Sequence, residues 1–299
     1  MKIIHLSDLH ISKDFRRNNL KRFKYCLNHI CQTSFDHLAI TGDLTDNAQH
    51  HDFTIIRQTL KHFGLLDSSK VSIVIGNHDI FGGVQTALDV LEFPKKCKTT
   101  DYDEKVSSFI SHFEELFTDC SFSSPNKFFP YYKNLGEVGL IGLNSVAHFS
   151  KIGNPIASTG KVYHEQITDF KLLTKDITHT QPIIALIHHH FYKKTIEATS
   201  PQNNVWNKFE SYNLRLRNKK KLIKVLSEAG IKLVLHGHSH EMTQYSRKGI
   251  HFLNAGGAID NNSNIIRYFE IDINNLEYNV TEEKLSIKNK LTAQKILSC

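Results

Sequence analysis

The chain contains five apolar runs of strand length, and each gives way at once to a motif built from Asp, Asn or His. Lys2–Leu6 leads to Asp8-x-His10, and His37–Ile40 to Gly42-Asp43. Val71–Ile75 leads to Gly76-Asn77-His78-Asp79, Ile183–Ile187 to His188-His189-His190, and Lys232–Leu235 to Gly237-His238-x-His240. Runs that are β-branched or leucine-rich throughout mark strands buried on both faces. In an open α/β sheet the ligand crevice lies beyond the carboxyl ends of the strands, so five such endings are expected to meet in one place. Gly42, Gly76 and Gly237 are expected to adopt backbone angles that a Cβ would forbid at these sharp turns.

Carboxylates, a carboxamide and imidazoles are the donors that suit two divalent transition metals held side by side, and they point to metal-assisted phosphoester hydrolysis. The order D-x-H, G-D, G-N-H-D, H, G-H-x-H resembles the calcineurin-like metallophosphoesterase superfamily, with motifs running from Asp8 to His240. The resemblance implies an α/β fold, an αββα sandwich of two mixed sheets flanked by helices. It further implies that Asp8, His10, Asp43 and His240 bind one metal, and that Asp43 bridges to a second held by Asn77, His188 and His238. One shared carboxylate would hold the cations at the roughly 3.5–4 Å separation of two-metal hydrolysis, and water between them would ionise near neutral pH and attack phosphorus in line.

By the same resemblance His78 faces the phosphoryl group and protonates or stabilises the departing oxygen, beside Asn77, while Asp79 orients His78 through a ring hydrogen bond. Adjacent residues at a strand end point to opposite sides, so one of the three consecutive histidines enters the ligand set most easily. His188 is expected there and His189 near the substrate phosphate, as in the cyclic-nucleotide phosphodiesterase branch, which this run resembles. Phe191 stands where relatives of that branch often have proline.

Helical spacing of apolar residues predicts helices over Asn18–Thr33, Asp52–Leu65, Asp103–Phe117, Glu165–Thr174 and about Asn218–Ala229. Strands are expected at Glu241–Ser246, Gly249–Asn254 and Ile265–Ile273, all in the territory of the second sheet. Residues 1–275 read as one metallophosphoesterase domain without linkers, and 276–299 as a C-terminal extension, a strand or short helix and then a tail. Lone histidines such as His37, His62 and His112 read as structural.

No segment approaches the roughly 18–20 consecutive apolar residues that cross a bilayer, and no signal peptide precedes Asp8, so a cytosolic enzyme without membrane partners is expected. Five cysteines without CxxC spacing argue for free thiols. A net charge of +7 suits an anionic substrate. Two basic clusters stand out, Lys13/Arg16/Arg17/Lys21/Arg22/Lys24 and Arg215/Arg217/Lys219/Lys220/Lys221/Lys224. Charge runs are usually solvated helix faces, but either cluster could guide nucleic acid.

The favoured reading is a two-metal phosphodiesterase acting on a cyclic nucleotide or related small phosphodiester. Gly139–Ser145, Gly160-Lys161-Val162 and Gln166 resemble the segment before the histidine motif in the cyclic AMP branch, with Asn144 where aspartate is common there. A DNA-processing nuclease shares Ile4-His5-Leu6-Ser7-Asp8-Leu9-His10, and a non-catalytic scaffold would be expected to lack a ligand. Mn²⁺, Fe²⁺ or Fe³⁺ and Zn²⁺ all accept these donors, and binding should weaken below about pH 6.5 as imidazoles protonate. Loops around Phe81–Gly83, Ala147–Gly160 and Phe191–Asn207, the last with Trp206, are expected to contact the organic part of the substrate.

Overall fold

The structure is a computed structural model that describes residues 1–175, 177, 181–192, 215–261, 263–274 and 277–287. Most of the expected loop 191–207, with Trp206, and the tail after 287 lie outside the described residues. In chain order the elements begin β1 (Lys2–Leu6), α1 (Arg17–Ile30), β2 (His37–Thr41), α2 (His50–His62), β3 (Val71–Val74), α3 (Ala87–Thr99) and α4 (Tyr102–His112). A 3-10 turn (Glu114–Phe117) leads to β4 (Cys120–Phe122), β5 (Tyr131–Asn134), β6 (Gly139–Leu143), β7 (Gly160–Lys161), α5 (His164–Thr174) and β8 (Ile183–Ile187). β9 (Leu216–Arg217), α6 (Lys219–Glu228), β10 (Leu233–His236), β11 (Met242–Arg247), β12 (Ile250–Ala255), β13 (Ile265–Asn274) and β14 (Glu277–Ser286) complete it.

Two mixed sheets carry the fold, ordered β14-β13-β1-β2-β3 and β11-β12-β10-β8-β6-β5-β4. Alternation along β8 shows how they pack: Ile184 and Leu186 face the core shared by the sheets, while Ile183, Ala185 and Ile187 join Phe170 of α5 and Leu222 and Leu226 of α6. On the first sheet Phe23 and Leu27 of α1 and Phe53 and Ile56 of α2 close the outer layer. These four layers are the expected αββα sandwich.

β13 and α3 depart from expectation. β13 crosses back and pairs antiparallel with β1, Ile271 opposite Ile3, so Ile265–Ile273 belongs to the first sheet and not the second. β14 pairs with β13 along its whole length, from Ile265↔Ser286 to Asn274↔Glu277, and places most of the segment beyond 275 at that sheet's edge. Charged residues such as Glu282, Glu283 and Lys284 on this outermost strand discourage pairing with another chain. The helix α3 was not anticipated because Pro94 lies inside it and Leu88, Val90 and Leu91 face solvent, which erases the periodic stripe; a Thr86–Asp89 capping box starts it.

At the opposite end of the sheets from the motifs, the buried Lys133 and His37 are fully bonded. Lys133 Nζ donates to the carbonyls of Ser68, Val71 and Leu116 at 2.7, 2.8 and 3.0 Å, and burial brings its pKa down to about 8. His37 bonds Ser69 O and Ser72 Oγ, both at 2.9 Å, in keeping with a structural role. Burial, then Lys133, pushes the His37 pKa down to about 3. The folded chain therefore keeps His37 neutral where the unfolded chain protonates it below about 6.5. Its stabilising contribution is complete above that pH and is lost on acidification toward 3. Between pH 6.5 and 5 the wild type should lose about 2 kcal/mol that His37→Gln does not, read from urea midpoints in chelator. Parallel losses in both proteins would refute this.

None of the four described cysteines forms a disulfide. Among the described residues no helix is long and apolar enough to cross a membrane.

Candidate metal centre

All five motifs converge at the carboxyl ends of β1, β2, β3, β8 and β10. Backbone bonds stitch the first two together: Asp8 N donates to Gly42 O (3.1 Å) and His10 N to Asp43 O (3.0 Å). The Asp8 carboxylate accepts from His238 N at 3.0 Å, tying β1 to β10 across the two sheets.

The cost of this convergence is visible in the backbone. Asp8, His10, Asp43, His238 and His240 all have φ between 44° and 76°, a region L residues with a Cβ seldom occupy. Strain of about 1–3 kcal/mol per residue, gathered on donor side chains, is the pattern of a functional site. Gly42, at φ +89°, behaves as expected. Gly76 and Gly237 do not adopt positive φ and serve by leaving space: a Cβ on Gly76 would overlap Asp43, and one on Gly237 would overlap Ser7 Oγ and the Asp8 carboxylate.

The donors form two groups. Asp8, His10 and His240 make the first: His10 Nε2 lies 3.1 Å from His240 Nε2, and His240 Nε2 lies 3.6 Å from Asp8 Oδ1. Asp43, His188 and His238 make the second, with His188 Nε2 3.1 Å from His238 Nδ1, 3.3 Å from Asp43 Oδ2 and 3.2 Å from Asn77 Oδ1. Asp43 Oδ2 also lies 3.7 Å from His10 Nε2, so one carboxylate oxygen faces both groups.

This arrangement fits cations. His188 Nδ1 donates to Thr41 O at 2.8 Å, which turns Nε2 toward Asn77 Oδ1, Asp43 Oδ2 and His238 Nδ1. Burial opposes charge there, but Asp43 raises the imidazole's pKa to about 9, so a cation at this point would take the place of a proton. Ligands 2.0–2.2 Å from a shared metal lie about 3.0–3.5 Å from one another, close to the spacings seen. Burial resists ionisation of Asp43, yet the imidazoles of His188, His78 and His10 hold its pKa well below the carboxylate range. Burial, then the neighbouring His189 and His188, keeps His238 well below its ordinary value, neutral as a ligand must be.

Two assignments need correction. Asp79 does not orient His78: its carboxylate accepts from Leu44 N (3.2 Å), Thr45 N (2.8 Å), Thr45 Oγ1 (3.1 Å) and Gly76 N (3.0 Å), pinning the turn after β2 to the turn after β3. Burial, then Asp43, pushes its pKa up to about 7. His78 is held instead by Asp46, whose carbonyl accepts from Nδ1 at 3.0 Å and whose Oδ1 lies 3.7 Å away. Asp46 Oδ1 is also 3.5 Å from His10 Nδ1. Asp46 was missed; its place three residues after Asp43, in the same buried loop, was the available signal. His189 is fully buried, with Nδ1 bonded to Ser145 Oγ (2.8 Å) and Nε2 to Ser158 O (3.2 Å), so neither ring nitrogen is left for a substrate phosphate.

The 1–242 stretch matches the family model for calcineurin-like phosphoesterases, and the chain belongs to that family. No curated protein matches it in sequence. Among solved structures it is similar to a dimetal phosphatase from Danio rerio, at TM-score 0.59 and 10% identity, over 96% of this chain and 98% of that one. It is also similar to a purple acid phosphatase from yellow lupin (Lupinus luteus) seeds, at TM-score 0.57 and 10% identity, over 96% of this chain. The match spans 51% of the lupin enzyme. At these identities the likeness is one of fold.

Proposed function

We propose that the protein is a two-cation phosphodiesterase acting on a small phosphodiester, a cyclic nucleotide or a compound like it. The observation that carries this reading is Asp43 Oδ2, placed between His10 Nε2 and His188 Nε2 at 3.7 and 3.3 Å. Asp8, His10, Asp43 and His240 would hold one cation, and Asp43, Asn77, His188 and His238 the other. When bound, such cations neutralise phosphoryl charge and make water acidic enough to supply a nucleophile at neutral pH.

The chain's own groups do the rest. His78, with Nδ1–H directed at the Asp46 carbonyl, keeps the tautomer in which Nε2 is the free nitrogen. Once protonated, that nitrogen can give its proton to a departing alkoxide. Arg16, the guanidinium beside the donors, is engaged by Asp46 and Asp260. A singly charged diester needs less cationic help than a monoester dianion, which favours the diester. Asn144, at the end of β6 beside β8, exchanges hydrogen bonds with Gln166 at 2.8 Å in each direction and joins the 139–166 segment that resembles the cyclic-nucleotide branch.

A nuclease reading draws less support, because the first basic cluster is partly turned inward. Arg22 donates to the backbone of Ile259, Ser263 and Ile265, and Arg16 to Asp46 and Asp260.

The test is turnover of bis-p-nitrophenyl phosphate with Mn²⁺, followed by a panel of cyclic AMP, cyclic GMP, glycerophosphodiesters, a phosphomonoester and single-stranded DNA. Asn77→Ala and His78→Ala should each lower kcat by about 10²–10⁴-fold. Undiminished activity in both variants would remove this site, and preference for the monoester would remove the diester.

A further inference from the structure

Behind the first donor group stands a set of charged contacts ending at Asp260, which has no part in the proposed reaction's chemistry. Arg16, immediately before α1, donates from Nε to Asp46 Oδ1 at 3.0 Å and from Nη1 to both oxygens of Asp260 at 2.7 and 2.6 Å. One turn on, Asn19 Nδ2 donates to Asp260 Oδ1 at 3.1 Å and to the carbonyls of Leu9 and His10 at 3.0 and 3.1 Å. Arg22 grips the same loop through the carbonyls of Ile259, Ser263 and Ile265. Arg16 at the N-cap of α1, with Asn19 and Arg22 on it, thus fixes a loop that lies beyond the 1–242 family match and holds Asp260 against the site.

Asp260 Oδ2 lies 3.8 Å from Nδ1 of His240, the nitrogen that points away from Asp8 and His10. The His240 side chain is 42% exposed, against 1% for His10 and 0% for His188, so packing alone does least to orient this donor. A carboxylate that accepts from the far nitrogen of a ligating imidazole fixes its tautomer and ring orientation and raises its basicity; Asp260 stands at ion-pair distance from that nitrogen, placed for this role. Asp46 stands in the same relation to His10. One guanidinium spans the two carboxylates and neutralises them together, a geometry open to the planar fork of arginine and not to the single point charge of lysine.

We propose that Asp260, locked by Arg16, is a positioning residue for His240, and that this couple sets how tightly the first donor group holds its cation. The inference rests on the two-cation reading of the site.

Calorimetric titration of metal-stripped full-length protein with Mn²⁺ separates the two. The wild type should take up two cations. Asp260→Asn should weaken one of them by about 10–100-fold and leave the other unchanged, and Asp260→Glu should restore most of the loss. Arg16→Lys, which keeps the charge, should weaken the same cation by about tenfold or less, and it carries the comparison if Asp260→Asn does not fold. Equal affinities in wild type, Asp260→Asn and Arg16→Lys would overturn the positioning role while leaving the two-cation site standing. Equal weakening of both cations would also overturn it, by reducing Asp260 to a support of the fold. A wild type that takes up no Mn²⁺ would overturn both readings.

Discussion

Asp43→Asn should release both cations, not one, and lower kcat/KM on bis-p-nitrophenyl phosphate by about 10³-fold or more, equivalent to roughly 4 kcal/mol of transition-state stabilisation. The reasoning is geometric. Each other donor faces one group, whereas Asp43 Oδ2 faces His10 of one and His188 of the other. An amide at this position keeps the volume but removes the negative charge that both cations share. Its nitrogen would also place a donor against imidazole nitrogens whose lone pairs are meant for metal. Metal content measured by plasma emission, alongside turnover, checks the result. A variant that retains one cation at full occupancy, or a tenth of the activity, would show that the bridge does not exist.

The second large effect is expected at a position without a side chain. Gly237→Ala would push a methyl group into Ser7 Oγ and the Asp8 carboxylate. Neither neighbour has room to yield: Ser7 Oγ donates to Thr41 O at 3.0 Å, and Asp8 accepts from His238 N at 3.0 Å. Overpacking of this kind costs about 1–3 kcal/mol. Displacing a catalytic group by about 1 Å can itself cost 10²-fold in rate. Urea midpoints and kcat, measured together, should therefore both fall. A stable, fully active Gly237→Ala protein would mean that the β1 and β10 turns do not approach as closely as described.

Much of this was legible because the physics is local. A run such as Ile183–Ile187 has no reason to be uniformly apolar unless both faces are covered, and a histidine straight after it must lie at the strand's carboxyl end. Five such runs were enough to give the sheets' parallel strands and the donors on them. What could not be read was set by contacts distant in sequence. Nothing in Ile265–Ile273 says which sheet it joins; its pairing with β1 depends on residues more than 260 positions away. The exchange of roles between Asp79 and Asp46 is of the same kind. Both are buried acids beside His78, and only the path of the chain decides which one meets the imidazole and which one meets the amides of Leu44, Thr45 and Gly76. His189 is fully buried because Ser145 and Ser158 arrive from other elements to bond both its nitrogens.

The place of β1 between β2 and β13 has a consequence for synthesis. The ribosome releases every candidate donor side chain by His240, yet β1, which presents Asp8 and His10, keeps an open flank until Ile265–Asn274 emerges and closes it. A nascent chain halted between these points holds all its donors but lacks half the lateral bonding of the strand that carries two of them. Assembly that waits on such far-apart partners is slow. Completion of the first sheet around β1 thereby falls after the 1–242 stretch has left the ribosome.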